Sequence, residues 1–280
     1  MGKKILVLGA KGMAGHVISI KLNNLGYDVT GFDLSDFSYC KSIVGNVMAV
    51  DLPEIVRDYD AVINCIGVLN TAVDANPDIG IWLNSYFPHL LAVHAKRVIH
   101  ISTDCVFSGH EKGRYSENDY RSTDTLYGRS KALGELDDNR NLTLRTSIVG
   151  PEINENGIGL FNWFMKQREP VSGYTCAIWG GVTTITLADA VDVAIKQGTT
   201  GLCHLTNGES ISKYELLKLF NTIRREPIDI SKSDTLKEDK SLVSVRFDFD
   251  FKVPSYSDMV KELGRWVSEK RDFYPQYDVR

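Results

Sequence analysis

A tyrosine and a lysine stand four positions apart in the stretch YGRSK, from Tyr127 to Lys131. In a helix this spacing places both side chains on one face, one turn apart. A phenol with a pKa of about 10 is a poor acid at neutral pH, but a neighbouring ammonium stabilises the phenolate and lowers that pKa. The pair therefore predicts a proton donor, Tyr127, beside a cation that makes it more acidic.

Three glycines at a spacing of three form a second motif. Gly9, Gly12 and Gly15 in GAKGMAG follow a predicted strand and open a predicted helix. Glycine there permits a tight turn and lets backbone N–H groups approach a pyrophosphate, while the helix N-terminus attracts the anion. We therefore predict that this loop binds a dinucleotide, with Lys11 and Met13 as further contacts.

An acidic residue, Asp33, ends the second predicted strand. A carboxylate at that position accepts hydrogen bonds from the adenosine ribose hydroxyls and repels a 2′-phosphate, which favours NAD(H). Lys11, with Ser35 and Lys41 beyond the strand, could offset this repulsion for NADP(H). The sequence leaves both cofactors open.

The stretch RVIHISTD predicts a strand that delivers Ser102, Thr103 and Asp104 to one edge of a sheet. Ligands of open α/β sheets bind beyond the carboxyl ends of the strands. We expect Tyr127 to protonate a carbonyl oxygen while hydride arrives at the carbon, and Thr103 to hydrogen-bond the same oxygen. Lys131 would also hold the nicotinamide ribose.

Strand and helix patterns alternate in the first half of the chain, which predicts βαβ units and a parallel sheet. The predicted strands are KILVLG, DVTGF, NVMAV, DAVINCIG, RVIHIST and LTLRTSI. The predicted helices are Met13 to Leu25, a short one after Pro53, one from Pro77 to about Ala95, and one from Thr125 to about Leu136. We predict an α/β fold in which residues 1–150 form a Rossmann-type doubly wound parallel sheet that binds the dinucleotide.

The pattern changes after Gly150, where the polar segment PEINENGIG precedes helices and short strands without strict alternation. Helices are predicted at LFNWFMKQ, LADAVDVAIKQ, SKYELLKLFNTI and from Ser257 to about Glu269. Residues 151–280 are predicted to form a smaller C-terminal α/β lobe that mainly binds substrate, with some segments returning to the first domain.

Composition narrows the possible partners. The net charge of -4 and a pI near 5.9 give no basic surface for nucleic acid, and no apolar run is long enough to cross a membrane. Five widely spaced cysteines without a CxxC pair indicate neither disulfides nor zinc, and the six histidines form no HExxH motif. We expect a cytoplasmic protein without a metal, and a homodimer is possible.

Three motifs together carry a family resemblance. GAKGMAG, ISTDCVFSG and YGRSKALGE, in this order, resemble the extended short-chain dehydrogenase/reductases and, within them, the dTDP-4-dehydrorhamnose reductases. The resemblance covers nearly the whole chain and is looser after Gly150. It implies a catalytic triad of Thr103, Tyr127 and Lys131.

The resemblance also implies roles for residues that spacing alone does not single out. It places cofactor contacts at Cys65, Ile66 and Gly67 after the fourth strand, and a supporting helical asparagine at Asn84. The segment Gly180 to Ala190 resembles the wall of a sugar pocket, which makes Val182 a candidate substrate contact together with Asp104 and Thr103.

Two further cations are candidate contacts for a sugar diphosphate. Arg246 stands in a polar, irregular stretch and has the geometry for bidentate pairing with phosphate, although an exposed ion pair is an equal alternative. Lys240 is a weaker candidate.

The expected activity is the NAD(P)H-dependent reduction of a nucleotide-linked 4-keto-6-deoxysugar in cell-surface polysaccharide synthesis, with dTDP-4-dehydrorhamnose as the first-choice substrate. A UDP-linked 4-keto amino sugar is the nearest alternative. The rival from another class is a non-catalytic regulatory subunit, since the β subunit of methionine adenosyltransferase resembles these reductases. The dehydratases of the superfamily usually carry TDE, and here Cys105 follows Asp104, which disfavours dehydration.

Overall fold

The computed structural model describes residues 2–280, which contain fourteen strands. In chain order they are β1 (Lys4–Leu8), β2 (Asp28–Asp33), β3 (Lys41–Val44), β4 (Ala61–Asn64), β5 (Val98–Thr103), β6 (Leu142–Thr146), β7 (Ile148–Val149), β8 (Val171–Tyr174), β9 (Ala177–Trp179), β10 (Val182–Thr183), β11 (Gly201–His204), β12 (Ile211–Ser212), β13 (Ile230–Ser233) and β14 (Glu238–Asp239).

Ten α-helices connect and cover these strands within residues 2–280. They are α1 (Met13–Asn24), α2 (Leu52–Val56), α3 (Asn70–Ala75), α4 (Pro77–Ile81), α5 (Phe87–His94), α6 (Leu126–Leu133), α7 (Leu160–Met165), α8 (Thr184–Gln197), α9 (Lys213–Ile223) and α10 (Tyr256–Glu269). A π-helical segment, Trp82–Tyr86, joins α4 to α5, and short 3₁₀ turns follow β5 and α10.

Seven strands form one parallel sheet in the order β3-β2-β1-β4-β5-β6-β11. Strands β4 and β6 are buried along their whole length, as expected for parallel strands covered by helices on both faces. The chain starts in the middle of the sheet and moves first to one edge and then to the other. The predicted Rossmann-type doubly wound sheet is confirmed.

The seventh strand, β11, comes from the C-terminal half of the chain and pairs with β6. The remaining segments after Gly150 form three small sheets, β10-β7, β12-β9-β14 and β13-β8. Strand β14 lies beside β9, and residue Leu242 bridges to Tyr115 in the loop after β5. The C-terminal half therefore closes over the carboxyl edge of the large sheet.

One predicted strand is wrong. NVMAV does not extend, because the amide oxygen of Asn46 accepts the backbone N–H of Met48 and its carbonyl accepts that of Ala49, which folds the segment into a turn. The third strand is the preceding segment, Lys41–Val44. The fourth predicted helix also ends early, at Leu133, where Gly134 packs against the backbone of Asn84.

A fully buried ion pair stands between the sheet and the end of α6. Glu135 accepts hydrogen bonds from Arg145 on β6 at 2.8 and 2.6 Å, and from the hydroxyl of Ser102 on β5 at 2.7 Å. The more exposed Arg121 reaches the same carboxylate at 2.6 Å. This network joins β5, β6 and the segment after α6, so it fixes the helix that carries Tyr127.

The segment after α10 returns to the first helix of the chain. The hydroxyl of Tyr274 lies 2.8 Å from Nε2 of His16 on α1 and accepts the indole N–H of Trp266 at 2.9 Å. The hydroxyl of Tyr277 accepts the backbone N–H of Glu152 at 3.0 Å. Residues 266–277 therefore support both α1 and the loop that follows β7.

Among residues 2–280, no helix combines the length and the apolar composition that a membrane span requires.

Candidate active site

The glycine loop connects β1 to α1 by a turn that only glycine adopts readily. Gly9 has φ of +74°, and its N–H binds the carbonyl oxygen of Phe32 on the neighbouring strand at 3.0 Å. Gly12, the N-cap residue of α1, has an extended backbone conformation, and no side chain forms a capping hydrogen bond to the first turn of the helix. The first N–H groups of α1 are therefore accessible to an anion, as the motif predicts.

The close packing of α1 against the glycine loop requires that Gly15 carries no side chain. A Cβ atom there would overlap the carbonyl oxygen of Gly9, which is rigid backbone. A Cβ atom on Gly12 would meet the same oxygen only at 3.3 Å.

We therefore expect Gly15→Ala to lower the free energy of unfolding by about 1–3 kcal/mol, the usual cost of overpacking. The matched variant Gly12→Ala should lose under about 1 kcal/mol, because a shift of a few tenths of an ångström relieves its contact. Urea denaturation of both variants without cofactor measures the difference. Equal stability of Gly15→Ala and the wild type would contradict the close approach.

Asp33 lies at the carboxyl end of β2, beside the glycine loop. Its carboxylate accepts the backbone N–H groups of Lys11 and Leu34, both at 2.8 Å. The Lys11 ammonium lies 2.5 Å from the hydroxyl of Ser35. Lys41 is not near this group, because it pairs with Asp28 at the amino end of β2, so it cannot offset the charge of Asp33 as predicted.

A cleft of about 810 Å³ opens between the glycine loop, the ends of β2 and β4, and the loop after β7. Its lining includes the predicted residues Gly9, Lys11, Gly12, Met13, Asp33, Cys65, Ile66 and Gly67. Gly15 is set back from the lining and acts through the packing of α1. The cleft thus gathers these eight predicted cofactor residues in one place, whereas the predicted cofactor contacts Tyr127 and Lys131 are not part of its lining.

Several lining residues were not predicted from the sequence. They are Phe32, Leu34, Gly45, Asn46, Val47, Met48, Ile79, Leu83, Glu152, Ile153 and Asn154. The turn at residues 45–48 was not predicted, because the composition of NVMAV is typical of a strand. Glu152 faces the cleft with its carboxylate bound to the N–H of Gly159, and burial raises its pKa.

Asn84 joins the loop after β4 to helix α6. Its side-chain amide exchanges two hydrogen bonds with the backbone of Val68, both at 2.9 Å, and donates to the hydroxyl of Ser130 at 3.1 Å. Asn84 lies within the π-helical segment Trp82–Tyr86, and it is fully buried. The cofactor side of the cleft is therefore tied directly to the helix that bears Tyr127 and Lys131.

Thr103 and Asp104 stand where β5 ends, as predicted. The Thr103 hydroxyl accepts the N–H of Cys105 at 3.1 Å and lies 3.2 Å from the carboxylate of Asp104. Burial raises the pKa of Asp104, while the charge of Lys240 opposes the shift. Lys240, the weaker sequence candidate, is thus one of the cations near this carboxylate.

The pKa of Tyr127 is raised, contrary to the expectation that Lys131 lowers it. Burial is the main cause, and the Cys105 thiol and Asp104 carboxyl raise the pKa further, whereas a hydrogen bond with Thr103 lowers it. The phenol is consequently protonated at neutral pH. It lies at the start of α6, whose N-cap Thr125 binds the N–H of Gly128.

Lys131 lies inside the molecule, with its ammonium nitrogen directed at the sheet. Nζ donates to the carbonyl oxygen of Ile101 at 2.8 Å and lies 3.2 Å from Nε2 of His100. Burial lowers the pKa of Lys131 to about 8, although Glu135 and Cys65 oppose the shift. The contact between His100 and Lys131 was not predicted, because a histidine within an apolar strand does not indicate which polar group it will contact.

Two predicted substrate contacts are not exposed to this site. Val182 is fully buried in the core on β10, beside β7. The guanidinium of Arg246 pairs with Asp248 and donates to the carbonyl oxygens of Thr200 and Leu202, at the amino end of β11. That end of the sheet is opposite to Thr103, so Arg246 forms the alternative ion pair that the sequence left open.

The cleft fits a nicotinamide dinucleotide. Gly9 and Gly12 line it with backbone and no side chain, the start of α1 offers free N–H groups, and Asp33 stands at the ribose position of such folds. Together with Thr103, Tyr127 and Lys131 beyond the same sheet edge, this arrangement defines an extended short-chain dehydrogenase/reductase, a class of NAD(P)-dependent oxidoreductases.

Comparisons with known proteins support the assignment to this class. The model of the RmlD substrate binding domain matches residues 3–261. A dTDP-4-dehydrorhamnose reductase from Burkholderia thailandensis is 30% identical, over 75% of this chain and 74% of the relative. The spore coat polysaccharide biosynthesis protein SpsK of Bacillus subtilis is 28% identical, over 76% of each chain.

Solved structures share the fold. A dTDP-4-dehydrorhamnose reductase from Bacillus anthracis in complex with NADP has a TM-score of 0.75 at 20% identity, and the match covers 94% of this chain and 99% of the other. A UDP-N-acetylglucosamine 4-epimerase from Methanobrevibacter ruminantium in complex with UDP-N-acetylmuramic acid has a TM-score of 0.80 at 19% identity, over 96% and 99%. The chain belongs to the RmlD family of dTDP-4-dehydrorhamnose reductase-like proteins.

Proposed function

We propose that the protein is an NAD(P)H-dependent reductase of a nucleotide-linked 4-keto-6-deoxysugar, with dTDP-4-dehydrorhamnose as the preferred substrate. The observation that carries this proposal is that the Thr103, Tyr127 and Lys131 set adjoins the cleft. Nζ of Lys131 lies 3.9 Å from where a Cβ on the lining residue Gly67 would stand, and Tyr127 lies near Thr103 at the end of β5. Residues 151–280 supply most of the substrate-binding lobe in this proposal.

The bound dinucleotide would supply hydride to the sugar carbonyl carbon. Tyr127 is protonated and lies beside Thr103, so its O–H is in place to donate to the carbonyl oxygen while the Thr103 hydroxyl supports the same oxygen. Lys131, in its ammonium form, would hold the nicotinamide ribose. Asp104 and Lys240 lie next to this group and are the proposed contacts to the sugar.

The experiment is a panel assay with purified protein, NADPH or NADH, and freshly generated 4-keto sugar nucleotides with dTDP or UDP. Oxidation of the reduced cofactor is followed by absorbance. A higher turnover rate with dTDP-4-dehydrorhamnose than with the other substrates supports the proposal. A higher rate with a UDP-linked 4-keto amino sugar would make that sugar the proposed substrate instead. Cofactor binding without turnover on any substrate would point to a regulatory subunit.

Cofactor preference depends on Asp33. The variant Asp33→Asn removes a negative charge at the ribose while keeping one acceptor for the backbone N–H groups. We expect the ratio of NADP(H) to NAD(H) affinity to rise at least about tenfold, or roughly 1.4 kcal/mol. Calorimetric titration of both cofactors measures this ratio, and an unchanged ratio would show that Asp33 does not face the 2′-position.

A further inference from the structure

Three buried histidines allow a comparison of hydrogen-bond partners. A neutral imidazole has one N–H donor and one acceptor nitrogen. His16 lies between a carbonyl oxygen, that of Gly12, and the hydroxyl of Tyr274. His204 lies between the carbonyl oxygen of Val243 and the guanidinium of Arg145. Each of these two rings has an obligate acceptor on one side and an available donor on the other, so a single neutral tautomer satisfies both nitrogens.

His100 differs because nitrogen atoms face both sides of its ring. Nδ1 lies 3.1 Å from the amide nitrogen of Asn64, and Nε2 lies 3.2 Å from Nζ of Lys131. The orientation of the Asn64 amide is fixed, since its oxygen accepts the backbone N–H of Ile66 at 3.1 Å. The Asn64 amide nitrogen is therefore a donor, and Nδ1 of His100 must accept.

The proton of the neutral His100 ring must then be on Nε2, pointing at Lys131. If Lys131 were an ammonium, which has only N–H donors, one of its N–H groups would face the Nε2–H of His100. Both residues are buried, so water does not relieve this contact. An uncharged amine accepts this N–H and still donates to the carbonyl oxygen of Ile101. The ring cannot relieve the conflict by charging, because full burial and the neighbouring Lys131 and His89 hold the pKa of His100 well below its ordinary value.

We propose that His100 is a positioning residue that favours the uncharged amine of Lys131 in the cofactor-free protein by donating its Nε2–H to it, so that dinucleotide binding is coupled to uptake of a proton by Lys131. This inference rests on the proposed function. The proton comes from solvent and forms a new N–H bond at Nζ. The resulting ammonium repels the Nε2–H of His100 and turns toward the cleft, where a Cβ on Gly67 would lie 3.9 Å from Nζ.

Other charges around Lys131 agree with this coupling. Glu135 and the Cys65 thiol face it and favour the ammonium, but burial outweighs both and lowers its pKa to about 8. A phosphate-bearing ligand in the adjoining cleft adds negative charge that raises this pKa again. Because the pKa is lower in the free protein than in the complex, protons are taken up at pH values between the two.

Calorimetric titration of NADH or NADPH in two buffers of different ionisation enthalpy measures the number of protons taken up. We expect uptake to rise from pH 7 to pH 9 toward about one proton per site. In His100→Gln the side-chain oxygen can accept from an ammonium, so uptake should fall to a small fraction of the wild-type value. The control His89→Gln changes an exposed histidine that also faces His100, and should keep the wild-type uptake.

The outcomes separate this inference from the proposed function. Absence of cofactor binding would overturn the proposed function itself, whereas binding without proton uptake between pH 7 and 9 would overturn only the coupling. Wild-type uptake in His100→Gln would show that His100 does not set the state of Lys131.

If His100→Gln does not fold, NMR titration of the lysine ¹³Cε signals in the free wild-type protein gives an independent answer, with Lys131→Arg used for assignment. We expect Lys131 to lose its proton near or below pH 8. An ammonium that persists above about pH 10, as in an exposed lysine, would overturn the inference.

Discussion

The variant Tyr127→Phe is expected to lower kcat by about 10²- to 10⁴-fold, the range that a positioned general acid contributes. Phenylalanine keeps the ring and removes only the hydroxyl, which lies near Thr103 and Asp104. Cofactor affinity should stay close to the wild-type value, because Gly9, Lys11 and Asp33 are unchanged. Steady-state kinetics with the preferred sugar and a separate cofactor titration measure the two effects.

The matched control for this prediction is Tyr120→Phe, since Tyr120 is 86% exposed and lies outside the cleft. It should retain wild-type kcat. If Tyr127→Phe also retained kcat, the phenol would not be the proton donor, and the acid would have to be sought among Thr103, Asp104 and Lys240.

The variant Glu135→Gln is expected to lower the free energy of unfolding by roughly 3–5 kcal/mol, the cost of leaving a buried charge without its partner. Arg145 is fully buried, and its cation would face a neutral amide oxygen, His204 and the ring of Phe107 in place of a carboxylate. Urea denaturation measures this loss. Arg121→Gln is the control, because Arg121 is 38% exposed and its pair with Glu135 should contribute under about 1 kcal/mol.

The same pair predicts a pH dependence. Burial would raise the pKa of Glu135, but the hydrogen bond and charge of Arg145, helped by Arg121 and Ser102, hold the pKa below its ordinary value of 4.5. A carboxyl group whose pKa is lowered by folding stabilises the protein above its unfolded-state pKa. The wild type should therefore lose this contribution as pH falls below 4.5, and a wild type that loses no more than Glu135→Gln there would contradict the pairing.

The central part of the fold is predictable from local pattern, because strands such as β1 and β6 are short β-rich runs that alternate with predicted helices such as α1. The third strand was not predictable, since NVMAV has strand-forming residues and the hydrogen bonds to the side chain and carbonyl oxygen of Asn46 fold it into a turn. The place of β11 beside β6 depends on contacts between distant segments, which no local pattern specifies. Residues 201–204 gave no separate strand signal.

The candidate site also has features that the sequence predicts and features that it does not. The glycine loop and the Thr103, Tyr127 and Lys131 set have fixed spacing, so the sequence indicates them. The direction in which Lys131 points depends on contacts with Ile101 and His100, and the raised pKa of Tyr127 depends on burial, which a sequence does not reveal. Arg246 was predicted as a candidate diphosphate contact because nothing in the sequence distinguishes Asp248, its actual partner two residues away, from other acidic residues nearby.

The contact between Tyr274 and His16 has a consequence for synthesis of the chain. The two residues are 258 positions apart, so at a translation rate of about 5–20 residues per second the helix after the glycine loop waits roughly 13–50 s for its partner. A ribosome-bound chain paused before Tyr274 would present an unsupported nucleotide pocket. We expect such arrested chains to retain cofactor poorly, and release of the finished polypeptide to restore retention.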